Sequence, residues 1–248
     1  MFPRLNKPVL LLPLVVATAA VAGPPMITDD PDTPEEGHWE INVAFTAEKR
    51  ADRWSMEAPL VDVNYGLLDN VQLKLEGPYL ISSEHSDRTS DFGNLEAGVK
   101  WRFLDREKAG ISVSAYPQFA FSGTGRSVRR GLAAEGWEFL LPVQLQHELG
   151  DHDTVFAEVG WAWVEHEAGN LFAGIVYAHG FGEELEVFTE LHTEGEAKMS
   201  SQELVANVGF HWQTWEHAAL IGSVGRSLTG GDEPKADVFG YLGWQLTF

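Results

Sequence analysis

Residues 236–248 read Ala-Asp-Val-Phe-Gly-Tyr-Leu-Gly-Trp-Gln-Leu-Thr-Phe and alternate between two faces. Val238, Gly240, Leu242, Trp244, Leu246 and Phe248 take one face, and Phe239, Tyr241, Gly243, Gln245 and Thr247 take the other. A period of two marks an extended strand whose sides meet unlike surroundings. Val238, Leu242, Trp244, Leu246 and Phe248 are expected against an apolar medium. Tyr241, Gln245 and Thr247 are expected on a polar side.

The pattern recurs along the chain. Residues 94–103 set Leu95, Ala97, Val99, Trp101 and Phe103 against Asn94, Glu96, Gly98, Lys100 and Arg102. Residues 39–49 set Trp39, Ile41, Val43 and Phe45 against Glu40, Asn42, Ala44 and Thr46, and residues 203–213 repeat the scheme. About twelve strands result, the others near 55–65, 71–83, 111–122, 137–149, 154–165, 171–179, 185–194 and 217–228. No 3.6-residue period appears after residue 22, so helices are not expected there.

Alternation alone fits a soluble sandwich or a membrane barrel, since both bury one apolar face. Three features separate them. The strands run to about ten residues or more, the length a tilted strand needs to cross a bilayer rather than the five or six common in soluble sheets. Connections alternate: 66–70, 105–110, 150–153, 180–184 and 214–216 are short, while 51–54, 84–92, 123–136, 194–200 and 229–235 are mostly longer and polar, with 166–170 intermediate. The tryptophans sort to strand ends. Trp39, Trp101, Trp212, Trp215 and Trp244 gather with Phe248 at the short-turn rim, and Trp54, Trp137, Trp161 and Trp163 at the loop rim. Two aromatic girdles belong where a barrel meets two membrane interfaces. The expected fold is an all-β, antiparallel, up-and-down transmembrane barrel of about twelve strands, the first pairing with the last. Pro59, Pro78, Pro117 and Pro142 fall inside strands and are expected at bulges or strand ends, because proline lacks a ladder donor.

The first 22 residues carry Arg4 and Lys7, an apolar run over 9–21, and Ala20-Val21-Ala22 before Gly23. This reads as a cleaved secretory signal; the run is too short for a membrane-spanning helix. Its removal leaves 15 Lys+Arg against 37 Asp+Glu, a net charge of −22. Nucleic acid is not an expected partner of so acidic a chain. The absence of cysteine excludes a disulfide scaffold and a thiolate site. The expected organisation is signal 1–22, an N-terminal segment 23–36 that is periplasmic or plugs the lumen, and a barrel over 37–248.

Several motifs carry a family resemblance. Ile27-Thr28-Asp29-Asp30-Pro31 followed by Gly37-His38-Trp39-Glu40, Pro59-Leu60-Val61-Asp62-Val63-Asn64-Tyr65-Gly66, and Leu73-Lys74-Leu75-Glu76-Gly77-Pro78-Tyr79 resemble the family named for the MetA pathway of phenol degradation. So do Gly98-Val99-Lys100-Trp101-Arg102-Phe103, Tyr116-Pro117-Gln118, Leu141-Pro142 and Gly225-Arg226. The family's loop motif Pro-Thr-Gly stands here as Ser122-Gly123-Thr124-Gly125. The resemblance implies an outer-membrane barrel of a Gram-negative bacterium that carries small, often aromatic, compounds inward. A closing strand that ends in Phe resembles those read by the barrel-assembly machinery. Outer-membrane lipid, lipopolysaccharide, that machinery and a small-molecule solute are the partners implied.

The polar parity names the candidate pore lining: Glu40, Asp62, Asn64, Lys74, Glu76, Glu96, Lys100, Arg102, Gln118, Glu138, Glu158, Glu190, His192 and His211. On the opposite parity a charge at the bilayer midplane would cost up to roughly 2–4 kcal/mol. Such a lining serves either an open pore or a salt-bridged interior that fills the barrel. Asp29, Asp30, Asp32, Glu35 and Glu36 crowd the segment before the first strand; a Ca²⁺ site, insertion into the lumen against Lys and Arg, and a periplasmic tail are the three readings. Arg126, Arg129 and Arg130 are read by default as a solvated loop, with pairing to lipopolysaccharide phosphates or an anionic solute as the alternative. The histidines from 147 to 217 lack metal-ligand spacing. An enzyme of the outer-membrane phospholipase type needs His and Ser two apart followed by Asn, and His85-Ser86 has the wrong spacing. No catalytic, cofactor or metal residue is therefore named. The functions left open are a passive channel for small solutes, aromatic or hydrophobic ones among them, a plugged structural barrel, and a lipid-modifying enzyme.

Overall fold

The structure, a computed structural model, describes residues 24–85, 87–196, 202–231 and 234–248. The signal-like segment lies outside them. The strands are β1 (Trp39–Arg50), β2 (Arg53–Leu68), β3 (Val71–Glu84), β4 (Asp87–Phe92), β5 (Leu95–Leu104), β6 (Ser112–Ala115), β7 (Gln118–Phe121), β8 (Glu138–Glu148), β9 (Asp153–Val164), β10 (Asn170–Phe181), β11 (Leu185–Glu196), β12 (Glu203–Trp215), β13 (Ala218–Thr229) and β14 (Ala236–Thr247). β4 and β5 are halves of one span, as are β6 and β7, so the wall is a closed antiparallel barrel of 12 spans.

β14 closes on β1 along the register Val43↔Trp244, Phe45↔Leu242 and Thr46↔Tyr241. Closure reaches the last residue: Trp39 and Phe248 exchange two backbone hydrogen bonds of 3.0 Å. Among the described residues each of the 12 spans is paired on both sides except along β4, which bonds β3 alone, so closure leaves no full-length edge for another chain to extend. Leu242, Trp244 and Phe248 are exposed while Gln245 is buried, as the alternation requires.

Pro59 and Pro117 sit at a bulge and a strand break, as expected, whereas Pro78 and Pro142 mark neither a bulge nor an end of their own strands. Pro59 lies in a bulge, where pairing with β1 and with β3 skips a residue. Pro117 separates β6 from β7. Pro78 and Pro142 stay within continuous strands, but each faces an interrupted neighbour. The Pro78 carbonyl accepts from Gly93 between β4 and β5, and the Pro142 carbonyl accepts from Tyr116 between β6 and β7. The N–H and C=O of a strand residue point the same way, so each missing donor falls at a gap.

The Pro59 bulge also corrects facing. Beyond it, Asp62 and Asn64 point inward on even numbers; before it, Glu57 points inward on an odd number and binds Thr46 Oγ1 at 2.8 Å. Trp54 thereby stays outward opposite Lys49. A one-residue shift reverses every side chain of a strand. A second bulge, between Gln213 and Trp215, turns Trp215 outward to stack on Trp244 at 5.6 Å.

Two expectations are corrected. Helices do occur: α1 (Arg106–Ala109) in a short turn and α2 (Gly125–Arg129) in the longest loop. Each is a single turn, too short to show a period, and each starts on a side-chain cap from Asp105 or Thr124. The stretch 84–92, read as a loop, is a hairpin extension in which β3 runs to Glu84 and pairs with β4. Its polar residues occupy both faces, so it gave no alternating signal.

Candidate functional site

The barrel is inverted relative to a soluble domain. Large apolar side chains such as Leu75, Val99, Ile175, Val208 and Leu242 are exposed on the wall, while Asn42, Asp62, Lys100, Gln144, Glu158 and Glu190 are buried. Eight of the nine tryptophans, Trp161 aside, are among the exposed residues. Trp161 contacts Trp163 at 6.5 Å, and Trp39, Trp101 and Trp137 each meet a neighbouring ring. Trp212 and Phe248 are exposed at the short-turn end.

One side of the interior is a continuous polar network. Asn42 Nδ2 donates to Glu40 and to Asp62, both at 3.2 Å. Asn64 donates to Asp62 at 2.9 Å and accepts from Gln72. Lys74 bridges Glu76 at 3.1 Å and Glu96 at 2.9 Å and reaches Gln118 at 3.4 Å. Lys100 lies 4.8 Å from the Tyr116 ring centre, a cation–π contact. On β8 and β9, Gln144 donates to Glu158 at 2.9 Å. Elsewhere His211 pairs with Gln245 at 3.0 Å. Glu138 stands apart, with the carboxylates of Glu194, Glu96 and Glu167 as its electrostatic neighbours.

Residues 24–32 lie inside the barrel, with 33–36 at its short-turn rim, and their contacts walk around the wall. Backbone bonds fix the entry: Gly37 donates to Gly66 of β2, whose hydrogen leaves room for the Glu35 carbonyl. Asp32 pairs with Arg102 of β5 and Arg106 of α1, both at 2.9 Å. Partial burial opposes the Arg106 charge, but Asp32 and Glu148 outweigh it and raise its pKa. Lys100 holds Asp29 at 2.9 Å and the Asp30 carbonyl at 2.7 Å. Burial pushes the Asp30 carboxyl well above its ordinary pKa, against the pull of Lys100. Asp29 also accepts from Gln144 of β8. The backbone N–H groups of Ile27 and Thr28 then donate to Glu190 of β11, and Thr28 Oγ1 lies 3.5 Å from His192. The Pro25 carbonyl accepts from Ser223 of β13 at 2.7 Å.

The sequence did not mark the far wall. Met26 packs with Phe156, Val176, Ala178 and Phe188, all inward-facing and buried. Gly174 and Gly209 are tight there: a Cβ on Gly174 would overlap Thr28, and one on Gly209 would lie 2.7 Å from Met26 Sδ. The available signal was β9, where Phe156 and Ala162 are apolar on the face that should be polar. Of the loop arginines, Arg126 and Arg130 turn to Asp91, at 3.1 and 3.9 Å.

The segment lies between two cavities. Pro24, Asp29 and Asp30 face a space of about 560 Å³ on the short-turn side that Arg102, Arg106 and Tyr116 also line. Pro25, Met26 and Ile27 face one of about 360 Å³ on the loop side that Arg50, Glu57, Phe239 and Tyr241 also line.

A closed barrel with an apolar outside, rings at both rims and an enclosed polar space has the fold of outer-membrane channels and porins of Gram-negative bacteria. Comparison with solved structures agrees. The COG4313 outer membrane channel from Pseudomonas putida F1 superposes with a TM-score of 0.73 at 15% identity, over 88% of this chain and 98% of that one. The NanC porin gives 0.61 at 7% identity, over 83% and 98%. The CymD monoaromatic hydrocarbon channel gives 0.50 at 8%, over 87% and 89%. No protein-family profile and no curated sequence matches the chain.

Proposed function

We propose that this protein is an outer-membrane channel that passively admits small solutes, and that residues 24–32 set its narrowest point. The observation that carries this is the pair of cavities, one lined mainly by polar groups and one of mixed lining, on the two sides of that segment inside a closed barrel. In this reading residues 1–22 are removed on export and 37–248 form the wall. Glu40, Asp62, Asn64, Lys74, Glu76, Glu96, Lys100, Arg102, Gln118, Glu138, Glu158, Glu190, His192 and His211 line the path. The rings of Trp39, Trp101, Trp212, Trp244 and Phe248, and those of Trp137, Trp161 and Trp163, anchor the two membrane interfaces. The assembly machinery reads β14. The resemblance to the phenol-degradation family and the likeness to a monoaromatic hydrocarbon channel support aromatic solutes among those admitted. The likeness to channels and porins favours transport over catalysis.

Purified protein in a planar bilayer should give stepwise conductance. A second reading, a plugged structural barrel, draws on the contacts that run from Gly66 to Ser223 along the segment. A barrel that is folded by gel migration yet silent in the bilayer would favour it.

A further inference from the structure

We propose that the loop-side cavity is a binding station for small organic cations, an ammonium group carried on an apolar or aromatic body. Its lining combines acceptors and apolar surface. Met26, Phe239 and Tyr241 supply the apolar part. Glu48, Glu57, Glu194 and Glu203 supply four carboxylates against one guanidinium, that of Arg50. Arg50 is already engaged, bound by Glu48 Oε2 at 3.1 Å, Glu203 Oε2 at 2.9 Å and the Pro234 carbonyl at 2.8 Å. Glu57 accepts from a hydroxyl, Thr46 Oγ1, and Glu194 from Asn170. Among the described residues neither meets a cation within ion-pair distance.

A third acceptor points the same way. Asn207, 3% exposed, lines this cavity and donates its amide group to Glu190 at 3.0 Å and to Met26 Sδ at 3.9 Å. Its carbonyl oxygen has no partner. A buried acceptor without a donor costs free energy that a donor-bearing ligand recovers. The site therefore has acceptors and negative charge in excess of its donors and positive charge, the donors being Arg50, His192 and the hydroxyls of Thr46, Ser223 and Tyr241. An anion would meet two uncompensated carboxylates, and a neutral solute would leave them unpaired. An ammonium supplies both needs, and its ring or alkyl body fits the Phe239–Tyr241 side, where cation–π attraction adds to packing. A volume of about 360 Å³ lies within the usual range for a small-molecule site.

The proposal rests on the channel reading for the route by which a solute arrives, but not for binding. The test is calorimetry on the full protein in detergent with three probes of one size: benzylammonium, benzyl alcohol and benzoate. Benzylammonium should bind at least about tenfold more tightly than benzyl alcohol, and benzoate more weakly still. Glu57→Gln with Glu194→Gln should cut benzylammonium affinity by about tenfold and leave benzyl alcohol unchanged. If that double variant fails to show the folded gel migration, Glu194→Gln alone should give a smaller loss of the same selectivity. Equal affinity for the three probes, or a folded variant that keeps its preference, overturns the proposal. Binding of benzylammonium by a barrel silent in the bilayer would keep the station and remove the channel. Conductance without the preference would do the reverse.

Discussion

Residues 29–32 and residues 25–28 enter the same lumen but meet opposite walls. The first group faces Lys100, Arg102 and Arg106, and is held by ion pairs at 2.9 Å. The second faces Phe156, Val176 and Phe188, and is held by packing of Met26 and by hydrogen bonds to Glu190. Charge pairing is directional, so it sets which residue of the segment stops at which strand. Packing of Met26 is indifferent to salt. The segment thus has one anchor made of ion pairs and one that combines packing with hydrogen bonds to a carboxylate.

Cutting the charged anchor should have the largest effect. Lys100→Met strands a largely buried carboxylate at Asp29, and breaking such a pair costs about 3–5 kcal/mol. Hydrogen exchange should show lost protection over 29–32 with the barrel strands unchanged. Met26→Ala attacks the other anchor and should cost about 2–3 kcal/mol through the void it leaves. Its signature is faster exchange at the Thr28 amide, at low and high salt alike. Asp32→Asn removes a pair shared by two arginines nearer the rim and should cost about 1–2 kcal/mol, an effect that shrinks as salt rises.

The smallest effect is with pH. Burial raises the Asp30 pKa above its ordinary 3.8, so the docked segment binds a proton more tightly than the free one. That contribution is full below the ordinary value and lost as pH rises through the raised one. Docking should therefore weaken on going from acid toward neutral pH, and Asp30→Asn should flatten the trend. A trend of opposite sign would mean that Asp30 is not buried in the docked state.

The wall was legible because each strand meets two media, and alternation records both. The β1–β14 closure, the facing of Leu242 and Gln245, and the exposure of eight of the nine tryptophans all followed from that. Pro59 was legible as a break, but its consequence needed the neighbours, since only pairing shows that Glu57 and Asp62 share a side. The candidate lumen residues were legible by parity, whereas their partners were not. Lys100 reaches Asp29 across 71 positions, and no periodicity reports a contact of that range. The far wall was hidden because Phe156 and Phe188 are apolar on a face expected to be polar. Met26 packs on them, and the local trace of that distant contact is only their apolar character on the polar parity, which does not name the partner.

The central claim is that residues 24–32 occupy and narrow the lumen. Single-channel conductance in a planar bilayer tests it most directly, comparing the mature chain with one lacking residues 24–36 while the signal is retained for export. The account predicts larger unitary steps from the shortened protein and an unchanged folded gel migration. Steps of equal size from the two would contradict it.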